Sequence, residues 1–251
     1  MSSRFENQVA VITGGANGLG KAIGIRIASE GGRIVIFDRI EDDCRLAAEE
    51  LISKGYQASF ECVDVSKESD IEAAISNTLQ KFDNIDVVVN CAGIVGPTSI
   101  QTADIVAEDF DQTIAVNLRG SFLVLKHALQ AMTKRDYGRI LLIASIAGKE
   151  GNAGMCAYST SKAGVIGLVK SAGKEYAETG ITINALAPAV VKTAMVESMP
   201  PEQVKYMTEK IPMQRLCTLE EVASTAAWIV SPEASFNTAS TFDLSGGRAT
   251  Y

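Results

Sequence analysis

The sequence has a single histidine, no Cys-x-x-Cys pair, no excess of positive charge and no uncharged apolar run long enough to cross a membrane. Each absence removes a class of function. With 23 Lys and Arg against 30 Asp and Glu, the net charge is −7, so the chain lacks the basic face with which proteins displace counterions from nucleic acid. The same acidity repels anionic lipid. Cys44, Cys62, Cys91, Cys156 and Cys217 are odd in number and unsuited in spacing, which argues against a disulfide or zinc framework. The N-terminal residues run into Val9–Thr13 without a basic start and an apolar signal segment, so a soluble, cytoplasmic protein with no membrane partner is expected. A Ser-His-Asp triad would have to use His127, and the apolar Phe122–Met132 run around it reads instead as a helix.

What is present is a rhythm. Short β-branched runs (Val9–Thr13, Arg33–Asp38, Ala58–Val63, Val87–Asn90, Arg139–Ala144, Thr182–Ala187, Thr241–Leu244) alternate with helical patterns at Leu19–Glu30, Asp42–Lys54, Lys67–Phe82, Ala107–Lys134, Ala157–Tyr176 and Leu219–Val230. The strands are continuously apolar rather than alternating, as in strands buried on both faces. This predicts an α/β chain: one domain built on a parallel sheet of about seven strands with helices on both sides. The rhythm breaks between Lys192 and Leu216, where Pro200, Pro201, Pro212 and four methionines suggest a helical lid at about 190–216.

The first strand ends in Thr13-Gly14-Gly15-Ala16-Asn17-Gly18-Leu19-Gly20, and a helical pattern follows at once. Residues without Cβ atoms let the turn tighten and let backbone approach a pyrophosphate, whose charge the helix N-terminus then meets. Asp38 closes the second strand, where a carboxylate accepts from adenosine ribose hydroxyls and repels a 2′-phosphate. NAD is therefore expected over NADP, with Arg39 next door as the opposing feature. Asp64, after the third strand, suits either an adenine contact or a cap on the following helix. Asn90-Cys91-Ala92-Gly93 ends the fourth strand on the same sheet edge.

Tyr158 and Lys162 stand four apart on one helix and so share a face. A phenol is a poor base at neutral pH, and a neighbouring ammonium stabilises its phenolate. Ser145, at the end of the strand just before, offers a hydroxyl to a substrate carbonyl or alcohol.

Together these motifs resemble the short-chain dehydrogenase/reductase family over essentially the whole chain: Thr13–Gly20, Asn90–Gly93, Asn117, Ser145 and Tyr158-x-x-x-Lys162. The resemblance implies a Rossmann-type doubly wound sheet and a Ser-Tyr-Lys-Asn tetrad. In it Tyr158 exchanges the hydroxyl proton, Lys162 lowers its pKa and binds the nicotinamide ribose, Ser145 positions the reacting oxygen, and Asn117 holds a water in the proton relay. It further implies cofactor contacts at Gly14, Asn17, Gly18, Leu19, Gly20, Asp38, Asp64, Val65, Asn90, Ala92, Gly93, Pro188, Val191 and Thr193. Asn17 stands where NADP-preferring members often carry a basic residue. One departure is Pro188-Ala189, where the family commonly shows Pro-Gly.

Within the family, two activities compete for this chain. Reduction of 3-oxoacyl carrier proteins with NADPH would require docking an acidic partner on an acidic chain, so NAD-dependent oxidation of a secondary alcohol in a small molecule is favoured. Ile146–Asn152 and the tail Phe242–Tyr251 resemble sugar-acid dehydrogenases, such as those acting on 2-dehydro-3-deoxy-L-fuconate or L-rhamnonate. Lys149 would then either pair with the substrate carboxylate or stand as a solvated loop lysine. A non-catalytic NAD-binding scaffold is the reading from another class, and retention of all four tetrad positions speaks against it. Finally, the helix carrying Tyr158 and Lys162 is small or apolar around much of its circumference (Ala163, Gly164, Gly167, Leu168, Ser171, Ala172), which, with the resemblance, points to a homotetramer.

Overall fold

The computed structural model describes residues 3–249, so the Thr250-Tyr251 end of the tail motif lies outside the described residues. The chain alternates β1 (Val9–Thr13), α1 (Gly18–Ser29), β2 (Arg33–Asp38), α2 (Glu41–Ser53), β3 (Ala58–Cys62), α3 (Glu68–Phe82) and β4 (Val87–Asn90). After α4 (Ala107–Ile114) and α5 (Gly120–Met132) come β5 (Gly138–Ile143), α6 (Ala147–Glu150), α7 (Cys156–Glu175) and β6 (Ile181–Pro188). The last elements are α8 (Ala194–Glu197), α9 (Pro201–Glu209), α10 (Leu219–Ile229) and β7 (Thr241–Leu244).

All seven strands are parallel, in the order β3-β2-β1-β4-β5-β6-β7. One apolar core joins the sheet to α3, α5 and α7, and a second joins its other face to α1, α2 and α10. Continuous burial holds for β1, β4, β5 and β6, whereas edge strands β3 and β7 are only half-buried. The order reverses between β1 and β4, whose ends Thr13 and Asn90 are in register, and this opens a crevice at the carboxyl ends of the strands.

One expectation changes. The single helix predicted over Ala107–Lys134 is interrupted by a π turn at Ala115–Arg119, closed by the Gly120 N–H on the Ala115 carbonyl, and ends in a 3-10 turn. The extra residue in that turn rotates Asn117 into the interior. The segment in which a helical lid is expected contains α8 and α9, and its two ends are tied together. Lys192 N–H donates to Cys217 O at 2.8 Å and Cys217 N–H donates to Val190 O at 3.1 Å, so the segment leaves and re-enters the body at one point. His127 is a helix residue on α5, with Nε2 3.1 Å from Glu68 at the start of α3.

Candidate active site

The side of the crevice where cofactor contacts are expected is built from backbone. Thr13 Oγ1 donates to Asn90 Oδ1 at 2.6 Å and accepts from Ala92 N–H at 3.1 Å, which fixes the ends of β1 and β4 side by side. Asn90 also donates to Ser121 Oγ at 2.9 Å, so its side chain is wholly engaged inside the protein. Gly14 packs against the Ala92 backbone. Gly20 sits where a Cβ would come within 2.2 Å of the Gly14 carbonyl oxygen, so this position closes the turn. Gly18 differs: φ is +54° and a Cβ there would meet nothing within 4 Å, so the loop surface at the start of α1 is open. Leu19 packs into the core beneath. Asn17 precedes α1, but its amide points to Asp43 at 3.4 Å, and no side chain caps the first-turn N–H groups. Asp38 accepts from Ala16 N–H at 3.2 Å and Arg39 N–H at 2.8 Å, which places its carboxylate beside the loop.

Asp64 does not cap the next helix. Its carboxylate accepts from Ser66 N–H at 3.0 Å and Ser66 Oγ at 2.7 Å, bonds that hold its pKa below the usual range, while α3 follows Lys67 without a side-chain cap. A two-residue turn satisfies an Asp more readily than a helix start four residues away. Val65 is buried against Gly120. The open glycine surface, the uncapped helix and the carboxylate of Asp38 fit a dinucleotide with a pyrophosphate in the middle and a ribose at β2.

The side of the crevice that carries the expected tetrad is built from buried side chains that satisfy one another. Asn117 donates to Ile94 O at 2.8 Å and to Ser161 Oγ at 3.0 Å, and accepts from Ile94 N–H at 2.8 Å. It thereby latches the segment after β4. Ser161 in turn donates to the Tyr158 carbonyl at 2.7 Å. A Cβ built on Gly93 would lie 3.1 Å from Asn117 Oδ1 and 3.6 Å from Lys162 Nζ, so both side chains converge on one small space. Lys162 Nζ donates to Ile143 O at 2.7 Å and lies 5.7 Å from the centre of the Tyr158 ring. Ser145, buried at the end of β5, accepts from Ala147 N–H at 3.1 Å.

The electrostatics refine the simple picture of an ammonium lowering a phenol pKa. Burial raises the Tyr158 pKa, and the countering influence is its hydrogen bond with Ser145. Lys162 is itself pushed down to about 8 by burial, with Cys91 acting in the opposite direction. Burial likewise pushes the Cys91 thiol up to about 12, so it stays a neutral wall of the site. Ser121, Ser161 and the Ile94 backbone are the parts that motif reading missed. The cluster Ser159-Thr160-Ser161 beside Tyr158 is the only signal that pointed to one of them.

Pro188 O accepts from Ile146 N–H at 3.1 Å, joining β6 to the Ser145 loop. Ala189 donates to Leu244 O at 3.0 Å and has no left-handed φ, so the methyl group that replaces the family's glycine is accommodated without backbone strain. Beside it, Ile211, Met213 and Ser245 help to line a cavity of about 370 Å³. Val191 is buried and bridges to Cys217, and Thr193 Oγ1 accepts from Val196 N–H at 3.4 Å at the start of α8. Lys149 is not a solvated loop lysine: its side chain is 7% exposed and its ammonium lies 2.8 Å from Asp243. Strand β7 supplies this partner, which loop composition could not reveal.

The family model described as Enoyl-(Acyl carrier protein) reductase matches residues 14–249. The chain belongs to the short-chain dehydrogenase/reductase family. It is 40% identical over 250 residues to the 2-dehydro-3-deoxy-L-rhamnonate dehydrogenase (NAD(+)) of Sphingomonas sp. (strain SKA58), covering 100% of this chain and 98% of that one. It is 36% identical over 246 residues to the 3-oxoacyl-[acyl-carrier-protein] reductase of Synechocystis sp. (strain ATCC 27184 / PCC 6803 / Kazusa), covering 97% and 98%. Among solved structures it is similar to an actinorhodin polyketide ketoreductase with NADPH, with a TM-score of 0.92, 34% identity and 100% of each chain covered. As a member of this family the protein is an oxidoreductase acting on small molecules. No helix among the described residues is long and apolar enough to cross a membrane.

Proposed function

We propose that this short-chain dehydrogenase/reductase is a cytoplasmic enzyme that uses NAD to oxidise a secondary alcohol of a sugar acid, of the type 2-dehydro-3-deoxy-L-rhamnonate or 2-dehydro-3-deoxy-L-fuconate. The observation that carries the cofactor choice is Asp38. Its carboxylate stands beside the glycine loop, and Asn17 reaches a second carboxylate, Asp43, so a 2′-phosphate would enter a negative field. The substrate class is supported by the 40% identity to a sugar-acid dehydrogenase along the whole chain.

In this reading Ser145 holds the substrate oxygen and Tyr158, as phenolate, accepts its proton. Lys162 supplies positive charge behind the ring, and Asn117 fixes the wall from which a relay water would be held. The nicotinamide, when bound, supplies the hydride acceptor. Gly14, Asn17, Gly18, Leu19 and Gly20 would receive the pyrophosphate. Asp38, Asp64 and Val65 would receive the adenosine end, and Ala92, Gly93, Pro188, Val191 and Thr193 the nicotinamide end. Asn90 would act through the strand ends that it joins. A carboxylate role for Lys149 would require it to give up Asp243, so we assign that lysine to its ion pair with β7 rather than to the substrate.

Reduction of 3-oxoacyl carrier proteins with NADPH is the second reading, favoured by the Synechocystis relative and opposed by the charge of −7. A panel of sugar acids, polyols and a 3-oxoacyl thioester, assayed with NAD and NADP, tests both. Turnover of the thioester with NADPH alone would replace our reading, and NAD binding without any turnover would favour a scaffold. We extend the proposal to a homotetramer, because Ala163, Gly167 and Ser171 of α7 are uncovered within the subunit and Phe122 of α5 is 48% exposed. Light scattering that finds an active monomer at micromolar concentration would reject that assembly.

A further inference from the structure

Helix α6 is four residues long and joins two members of the tetrad, since Ser145 lies just before it and the loop after it leads to Tyr158. A helix this short has no stability of its own, so tertiary contacts must hold it. Its inner face touches the catalytic helix directly: a Cβ on Gly148 would lie 2.6 Å from the Lys162 backbone carbon. Its outer face is gripped by the end of β7 and the segment that follows it. Lys149 Nζ lies 2.8 Å from Asp243 Oδ2, and Arg248 Nε lies 3.0 Å from Glu150 Oε2. Arg248 Nη2 also donates to Asn152 Oδ1 at 3.0 Å, on the loop toward Tyr158.

These are not free surface pairs. The side chains of Lys149 and Arg248 are 7% and 12% exposed, so the pairs are screened less than ordinary surface ions. The gripping segment is ordered in its turn. Asp243 Oδ1 accepts from Ser245 N–H, Ser245 Oγ accepts from Ala249 N–H, and Met213 N–H at the lid base donates to Gly246 O.

We propose that residues Asp243–Arg248 form a clamp that presses α6 onto the catalytic helix, with Arg248 a positioning residue that fixes Ser145 relative to Tyr158. The clamp connects the two sequence stretches, Ile146–Asn152 and the tail, that motif reading singled out and that the tetrad does not absorb. The inference rests on the dehydrogenase reading for its catalytic consequence and not for its structural one.

The test compares Arg248→Glu, Glu150→Arg and the double variant, in which the charges are exchanged, with Arg248→Lys as a milder change should a single variant fold poorly. In the cofactor-free protein, each single variant should speed amide exchange across residues 145–151 by about tenfold or more, with β1 unchanged, and the double should recover to within about threefold. With NAD and 2-dehydro-3-deoxy-L-rhamnonate as probes, the singles should lower kcat by about tenfold with a smaller change in KM. NAD affinity should stay within about twofold, and the double should again recover. Singles that exchange at the wild-type rate, or a double variant that loses as much as the two singles combined, would overturn the clamp. If the wild type leaves that sugar acid untouched, the substrate reading fails and the exchange experiment alone decides the clamp.

Discussion

The two halves of the crevice hold their chemistry in different ways. Between β1 and β2 the site is made of main chain: glycines without side chains, an uncapped helix start and one carboxylate. Between β4 and β6 it is made of side chains, and nearly every one has another task. Asn117 latches Ile94, Ser145 closes a turn onto Ala147, and Lys162 is tied to Ile143 O. The first half is therefore open and tolerant of what lies behind it, whereas the second is a buried network in which removing one group leaves its partners unsatisfied. Damage should separate along the same line, with binding lost in one half and turnover in the other.

The largest expected effect is Tyr158→Phe. It deletes the proton acceptor while leaving the ring in place, so turnover should fall by about a hundredfold or more with NAD affinity within a few-fold. Titration with NAD beside steady-state assays measures both, and near-normal turnover would break the assignment of the catalytic half. Next come two glycines that spacing alone treats alike. Gly18→Val adds bulk to an open surface and should weaken NAD by about tenfold or more at little cost in folding beyond the strain of a positive φ. Gly20→Val would drive a side chain into the Gly14 carbonyl and should lower the melting temperature of the cofactor-free protein as well. Equal behaviour of the two would mean that the loop has no separate binding and folding positions.

That pair shows where sequence reading stops. The glycine spacing located the loop because backbone recognition needs missing side chains, and a missing side chain is visible in a sequence. The role of each glycine depends on what faces it across space, the Gly14 carbonyl or nothing at all. The strands were legible for the same reason, as continuous apolar runs. The π turn was not, because Ala115–Arg119 has the composition of any buried helix, and only the pull of Asn117 toward Ile94 distinguishes it. Lys149 shows the same limit: its partner Asp243 is 94 residues away on an edge strand. Side-chain networks are written in contacts between distant segments, and residue type at one position does not encode them.

A smaller effect sharpens the binding half. Asp38→Ala removes both a ribose acceptor and a repelling charge, so kcat/KM with NAD should fall by about tenfold while that with NADP holds or rises. Arg39, the next residue in the chain, then carries a charge whose sign favours the phosphate. An unchanged ratio would place discrimination elsewhere in the loop.

The smallest effect is on stability, and it runs against function. Lys162 is ionised at neutral pH although burial depresses its pKa from 10.5 to about 8, so the fold carries a charge that water would hold more favourably. Between those two values Lys162 holds its proton more firmly in the unfolded chain than in the folded one, so its contribution to the stability of the cofactor-free protein should rise as pH climbs from about 8 toward 10.5. The buried Cys91 thiol, whose pKa is raised, acts in the opposite direction above about pH 9. Below pH 8 the full cost is present. Lys162→Met removes the charge and keeps the aliphatic stem, at the loss of the bond to Ile143 O. At pH 7 a net gain of about 1–2 kcal/mol would raise the melting temperature by roughly 2–8 °C, and the advantage should shrink as pH approaches 10. The variant should also be nearly inactive, because the charge behind Tyr158 is gone. Melting curves of the two proteins from pH 6 to pH 10 check the sign. A variant less stable than wild type at pH 7 would show that the bond to Ile143 outweighs the buried charge, and that the catalytic half is held together by the lysine rather than strained by it.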